Sequence, residues 1–150
     1  MEIAFRPALE QDYEACRRLY FSQMEKTIRE LDLDPVAHAA GFREQWIPSQ
    51  VRIIQFGGQD VGWLQVIDRS EGLLLAQIFV ESQYQNQGIG THVMRRVIEQ
   101  AAEKCLPLAL AVVKNNRALR LYQRLGFRVV QEDGCKFYMR LDLSEAGGIS

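Results

Sequence analysis

The stretch "GLLLAQIFV", Gly72 to Val80, has one polar side chain, Gln77, in nine residues, and through "ESQYQNQGIG" it passes into a run with helical spacing. A short, nearly continuous apolar run is the pattern of a strand covered on both of its faces. Ile89, Val93, Val97, Ile98, Ala101 and Cys105 then mark one buried helical face that stops before Pro107. A central strand that feeds a helix through two glycines restricts the chain to folds that layer helices on a sheet.

The remaining punctuation fills in that frame. "IAFR" reads as a first strand, and Leu9, Tyr13, Cys16, Leu19, Tyr20 and Met24 follow Pro7 at helical spacing. Asp34 ahead of Pro35 caps a second helix that Pro48 stops. "QVRIIQF" and "VGWLQVID" flank "GGQD" as a hairpin. "LALAVV" is a buried strand, and "NNRALRLYQRLGF" is a short helix with an Asn cap and a Gly126 stop. "FRVVQE" and "CKFYMRLDL" close the chain as two strands about "DG". The expected order is strand, two helices, three strands, helix, strand, helix, two strands, which is an α/β arrangement around one mixed sheet. One domain over residues 1–143 is expected, with a frayed tail at 144–150.

Several functional classes are excluded early. No run of about 18 apolar residues occurs, and "MEIAFRPALEQD" has neither a basic start nor an apolar signal core, so a cytoplasmic protein without a membrane partner is expected. Cys16, Cys105 and Cys135 are odd in number and isolated, which suits a reducing compartment. His38 and His92 are the two histidines, and neither has a neighbour at ligand spacing, so no metal is expected. The net charge of −1 hides a segment, residues 85–128, with 8 Lys/Arg against 2 Asp/Glu. That segment lacks the interleaved aromatics of a nucleic-acid surface, and no nucleic-acid partner is expected.

The basic segment begins at the glycine turn. A helix that starts there presents unpaired N–H groups and the positive end of its dipole, and glycine lets a phosphate approach the backbone without meeting a Cβ. Thr91 and His92 follow Gly90 where a nucleotide-hydrolysing loop needs Lys and Ser/Thr. A dinucleotide fingerprint fails as well, with Val93 in place of the third glycine and Lys114 where an acidic residue belongs.

Gln85-Asn86-Gln87-Gly88-Ile89-Gly90 resembles the Gln/Arg-x-x-Gly-x-Gly/Ala motif of the GNAT superfamily of N-acetyltransferases. "FRPALEQD", "IFVESQYQNQGIG" and "VVKNNRALRLYQRLGF" are similar to that family in order and spacing, over most of residues 1–141. The resemblance implies the GNAT fold, a mixed central sheet of about seven strands with helices on both faces. It implies acetyl-CoA as cosubstrate, its pyrophosphate held by Gln85, Asn86, Gln87, Gly88, Ile89, Gly90 and Thr91. Backbone groups of Phe79 and Val80 would meet the pantetheine arm, and Asn115 would help to line the thioester slot. Tyr122 would protonate the departing thiolate, an easy transfer for a phenol with a pKa of about 10. From the residues alone Tyr122 shares a helical face with Ala118, Leu121 and Leu125, as a core tyrosine would.

The base is less well marked. Glu81 is the carboxylate nearest in sequence to the implied slot, and Leu110 stands where branches of the family that modify protein N-termini carry a glutamate. The expected reaction is acetyl transfer to a primary amine by direct attack in a ternary complex; the alternative is a catalytically silent acyl-CoA-binding or regulatory module. The acceptor would be a small-molecule or peptide amine, and the resemblance is compatible with a homodimer. "MEKTIRELDLDP" carries a local charge of −2, which would either attract a cationic amine or form ordinary cap and surface charge. Trp46, Trp63 and Tyr138 are candidate pocket walls, although large aromatics more often build core.

Overall fold

Among the described residues, 2–142, the computed structural model has seven strands and four helices in the order expected from the patterning. β1 (Ile3–Pro7) precedes α1 (Tyr13–Glu30) and α2 (Pro35–Gln45); then come β2 (Val51–Phe56), β3 (Gln59–Arg69) and β4 (Gly72–Val80). α3 (Ile89–Glu103), β5 (Leu108–Val113), α4 (Ala118–Arg124), β6 (Arg128–Glu132) and β7 (Lys136–Leu141) complete the chain. The strands form one sheet in the order β1-β2-β3-β4-β5-β7-β6. β4 pairs with β5 in parallel, Leu73↔Leu108 to Leu75↔Leu110, while β1·β2, β2·β3, β5·β7 and β6·β7 are antiparallel, so the sheet is mixed. The tail expected to fray, 144–150, lies outside the described residues.

Local chemistry accounts for the boundaries. Asp34 accepts the Val36 N–H at 3.0 Å and Pro35 starts α2. The β2–β3 hairpin turns on Gly57-Gly58 alone: Gln59 and Asp60, expected in the loop, pair with Phe56 and Gln55. Asn116 Oδ1 accepts the Ala118 N–H at 2.8 Å to start α4. At its end Gly126 N–H reaches Gln123 O (3.1 Å) and Phe127 N–H reaches Tyr122 O (3.0 Å), the paired bonds of a Schellman stop.

The chain forms two compact units, one comprising the described residues up to Gln65 with Gln77–Ile89, the other Val66–Ala76 with the described residues from Gly90. The first has an aromatic core. Tyr20 lies 4.7 Å from Phe42 and 5.2 Å from Phe79, and Trp63 lies 5.5 Å from Phe79, between ring centroids. Trp46 and Trp63 are 4% and 1% exposed within this cluster, so they build core and are not pocket walls. In the second unit α3 buries Val93, Met94, Val97 and Ala101, and β5 buries Leu108, Leu110 and Val112. Met94 belongs to the buried face of α3, whereas Cys105 does not. Cys105 lies beyond the helix end, has φ +56°, and is exposed.

Two contacts in the first unit carry consequences. A Cβ on Gly62 of β3 would run into the Phe79 carbonyl oxygen and lie 3.0 Å from the Val80 Cα, both backbone of β4. The close approach of the two strands therefore needs a residue without a side chain at position 62. Arg6 of β1 reaches Asp12 at 3.0 Å and Asp60 at 2.8 Å. These hydrogen bonds hold both carboxyls below their usual pKa.

Gly62→Ala is expected to destabilise the protein by about 1–3 kcal/mol, as overpacking against backbone that cannot yield does, measured by urea unfolding. The lowered Asp12 and Asp60 pKa values stabilise the folded state above the ordinary carboxylate pKa of about 4, and this contribution is lost as pH falls through the lowered values. Arg6→Ala should lower the melting temperature at pH 7, and the melting curves of the two proteins should converge below about pH 3.

Candidate functional site

The end of β4 and the turn into α3 carry the candidate site residues of the first unit. Glu81 N–H donates to Val61 O at 2.8 Å, and the Ser82–Tyr84 turn is fastened by Tyr84 Oη donating to Gln59 Oε1 at 2.7 Å. Asn86 (φ +62°) and Gly88 (φ +84°) both take the left-handed conformation, which lets an extended chain enter a helix within a few residues. Ile89, 1% exposed, anchors the start of α3, while Asn86, Gln87 and Gly88 are exposed. No heavy atom comes within 4 Å of where a Cβ on Gly90 would stand. A helix start with open space beside its first turn is the kind of place where backbone N–H groups can receive an anion.

Around this turn the side chains do not all point outward. The Val80 carbonyl accepts the Nε2 amide of Gln85 at 2.9 Å and the Nε2 amide of Gln23, from α1. Both acceptor positions of that oxygen are thereby filled. Gln87 Nε2 donates to Gln83 O at 3.0 Å. The Phe79 ring is half-buried in the aromatic core. Glu81 is half-buried, its Oε1 3.5 Å from Nη2 of Arg18, an arginine with 68% of its side chain exposed. At that distance and exposure the pair is a weak, screened contact.

The second unit holds Thr91, half-buried in the first turn of α3, and the residues after β5. Asn115 is exposed. Tyr122, on α4, is 7% exposed, and its ring meets Phe127 edge-on at 6.0 Å between centroids. Among the described residues none hydrogen-bonds to its hydroxyl. Burial pushes its pKa up to about 12. The phenol thus stays neutral across the ordinary pH range and is a weaker acid than a phenol in water, which makes complete proton transfer to a thiolate less favourable. Arg117, Arg120 and Arg124 are all exposed.

Some partnerships have no sequence signal. Gln23 and Arg18 of α1 reach β4 and Glu81 across more than fifty residues of chain, which no local spacing announces. Tyr20 Oη lies 2.6 Å from His38 Nε2, joining α1 to α2, and burial raises the Tyr20 pKa to about 12. Among the described residues no group of three or more His, Cys, Asp or Glu could hold a metal ion, and no helix is long and apolar enough to cross a membrane.

Residues 48–129 match the family model for the acetyltransferase (GNAT) domain. The chain is 39% identical over 57 residues to the spermine/spermidine N(1)-acetyltransferase of Bacillus subtilis (strain 168), covering 36% of this chain and 38% of that protein. It is 38% identical over 66 residues to the thialysine N-epsilon-acetyltransferase of Bos taurus, covering 43% of this chain and 39% of that protein. The chain thus spans about two-fifths of the length of these relatives. The crystal structure of PaiA N-acetyltransferase from Thermoplasma acidophilum in complex with coenzyme A superposes with a TM-score of 0.76 at 16% identity, covering 95% of this chain and 99% of that one, a likeness of fold.

Gly88 and Gly90 should respond to substitution with opposite signs. Gly88→Val forces a β-branched residue into φ +84° and is expected to cost about 1–3 kcal/mol. Gly90→Ala, in a helix with open space at its Cβ, should stabilise by about 0.5–1 kcal/mol, both read from denaturant midpoints.

Proposed function

The chain belongs to the GNAT acetyltransferase family, and from that premise we propose that it transfers an acetyl group from acetyl-CoA to a primary amine by direct attack in a ternary complex. The observation that carries this reading is the turn into α3, where left-handed Asn86 and Gly88 bring an extended chain directly into a helix start with open space beside Gly90. Backbone of that kind suits the pyrophosphate of a coenzyme, with Gln85, Asn86, Gln87, Gly88, Ile89, Gly90 and Thr91 as its cradle. Within the cradle Gln85 contributes backbone, because its side chain is committed to Val80. Phe79 and Val80 border the pantetheine arm and Asn115 lines the thioester end. One functional domain, working in a reducing cytoplasm that suits three free cysteines, completes the reading.

Each chemical task has a residue. The amine must lose its proton before it attacks, and Glu81, half-buried at the end of β4, takes that proton directly or through water. Tyr122 serves the departing sulfur. With its pKa raised to about 12 it acts chiefly by donating a hydrogen bond as charge develops on the sulfur; the C–S bond breaks as the amide forms, and the proton shed by the attacking nitrogen replaces the one that reaches the sulfur, leaving Tyr122 neutral. The acceptor is an alkylamine carrying further positive charge, the class to which the polyamines and thialysine named for the two relatives belong. Exposed Glu25, Asp32 and Asp34, on and between α1 and α2, favour such a cation over a neutral amine.

The test is thiol release from acetyl-CoA in the presence of spermidine, thialysine, lysine or an uncharged alkylamine, with coenzyme binding followed by calorimetry. Release that depends on a cationic amine supports the reading; tight coenzyme binding without release under any amine would mark the silent binding module instead. Gly88→Val should weaken coenzyme binding at least about tenfold while Gly90→Ala leaves it within about twofold, since the motif itself accepts alanine there. Tyr122→Phe should lower kcat about 10- to 100-fold with coenzyme affinity unchanged, and equal turnover would reduce the tyrosine to packing.

A further inference from the structure

Val80 O is the point at which three segments meet: β4 supplies the carbonyl, the turn after it supplies Gln85, and α1 supplies Gln23. A carbonyl oxygen has two acceptor positions, and here each is filled by a side-chain amide donor from a different part of the chain. The nitrogen end of each carboxamide must face the carbonyl, because an amide oxygen turned toward it would repel it. Gln85 lies one residue before left-handed Asn86, so the bond that fixes Gln85 also fixes where the turn begins. Gln23 belongs to an 18-residue helix whose other polar contact with the same stretch, Arg18 to Glu81, is long and screened. Gln23 is therefore the hydrogen-bonded tie between α1 and the end of β4, beside the ring contact of Tyr20 with Phe79. β4 also lies hard against Gly62, so its end is held by close backbone contact as well as by these two amides.

We propose that Gln23 is a positioning residue for the coenzyme turn: by holding the Val80 carbonyl jointly with Gln85 it sets the start of the 85–91 turn and couples α1 to coenzyme binding. This rests on the reading of that turn as the coenzyme cradle. The coupling is reciprocal, so a coenzyme that fixes the turn also stiffens α1 near Gln23. Gln23 touches neither reacting atom; it acts through Val80 and Gln85.

Two variants separate the donor from the bulk of the side chain. Gln23→Glu keeps length and shape but loses the N–H and sets a carboxylate against a carbonyl; Gln23→Lys keeps a donor that reaches the same oxygen. Coenzyme A binding by calorimetry is expected to weaken at least about tenfold in Gln23→Glu and to stay within about threefold of wild type in Gln23→Lys. Amide exchange in α1 around Gln23 should slow on coenzyme A addition in the wild type and in Gln23→Lys, but not in Gln23→Glu, a response that simple packing would not produce. Should Gln23→Glu fail to fold, Gln23→Met, of similar length and without charge or donor, takes its place with the same expected loss. Equal affinity in the donor-less variant, or equal weakening in Gln23→Glu and Gln23→Lys, overturns the proposal. Absence of coenzyme A binding by the wild type overturns the coenzyme reading itself and the positioning role with it.

Discussion

The candidate site depends on the change of backbone direction between Val80 and Ile89. An extended strand must become a helix there within a few residues. Left-handed φ values at Asn86 and Gly88 make the reversal, and buried Ile89 fixes its far end. A residue with a β-branched side chain in either left-handed position would open the turn and move the helix start. A helix start attracts anions through backbone shape and dipole more than through side-chain charge.

The near end of the reversal is held by side chains. Gln23 and Gln85 saturate Val80 O, Glu81 N–H continues onto Val61 O, and Tyr84 ties the short turn to Gln59. Behind these polar contacts the Phe79 ring enters the aromatic core with Tyr20 and Trp63, where ring packing resists rotation of the strand. Polar ties and aromatic packing have different tasks: the core fixes the plane of β4, and the amides fix its terminus. The Tyr20–His38 bond extends the same core to α2 through one polar contact among rings.

The order of the secondary-structure elements was legible in the sequence, since apolar period, Pro and Gly positions and the Asp34 and Asn116 caps are local signals. The strand "GLLLAQIFV" and the glycine turn were legible for the same reason, and they brought Phe79, Val80 and Gln85 to Thr91 into view as one run of chain. Local pattern reached less far at boundaries that pairing decides: Gln59 and Asp60 join β3 because Phe56 and Gln55 lie opposite them. Cys105 had helical spacing, yet the helix ends before it and the chain turns left-handed there. Trp46 and Trp63 could have been wall or core by type, and their burial made them core.

The acidity of Tyr122 and the partners of Glu81, Gln85 and His38 lay wholly outside the sequence. A pKa depends on how much water surrounds a group, and burial of Tyr122 follows from the assembly of the whole second unit. Gln23 and Val80 are 57 residues apart, and a hydrogen bond between them exists because α1 returns to the end of β4. The sequence by itself determined which residues extend, coil or turn, because those preferences arise within a few residues of each other. Tertiary structure decided which of them carry solvent, charge or each other, because those properties depend on atoms brought together from distant parts of the chain.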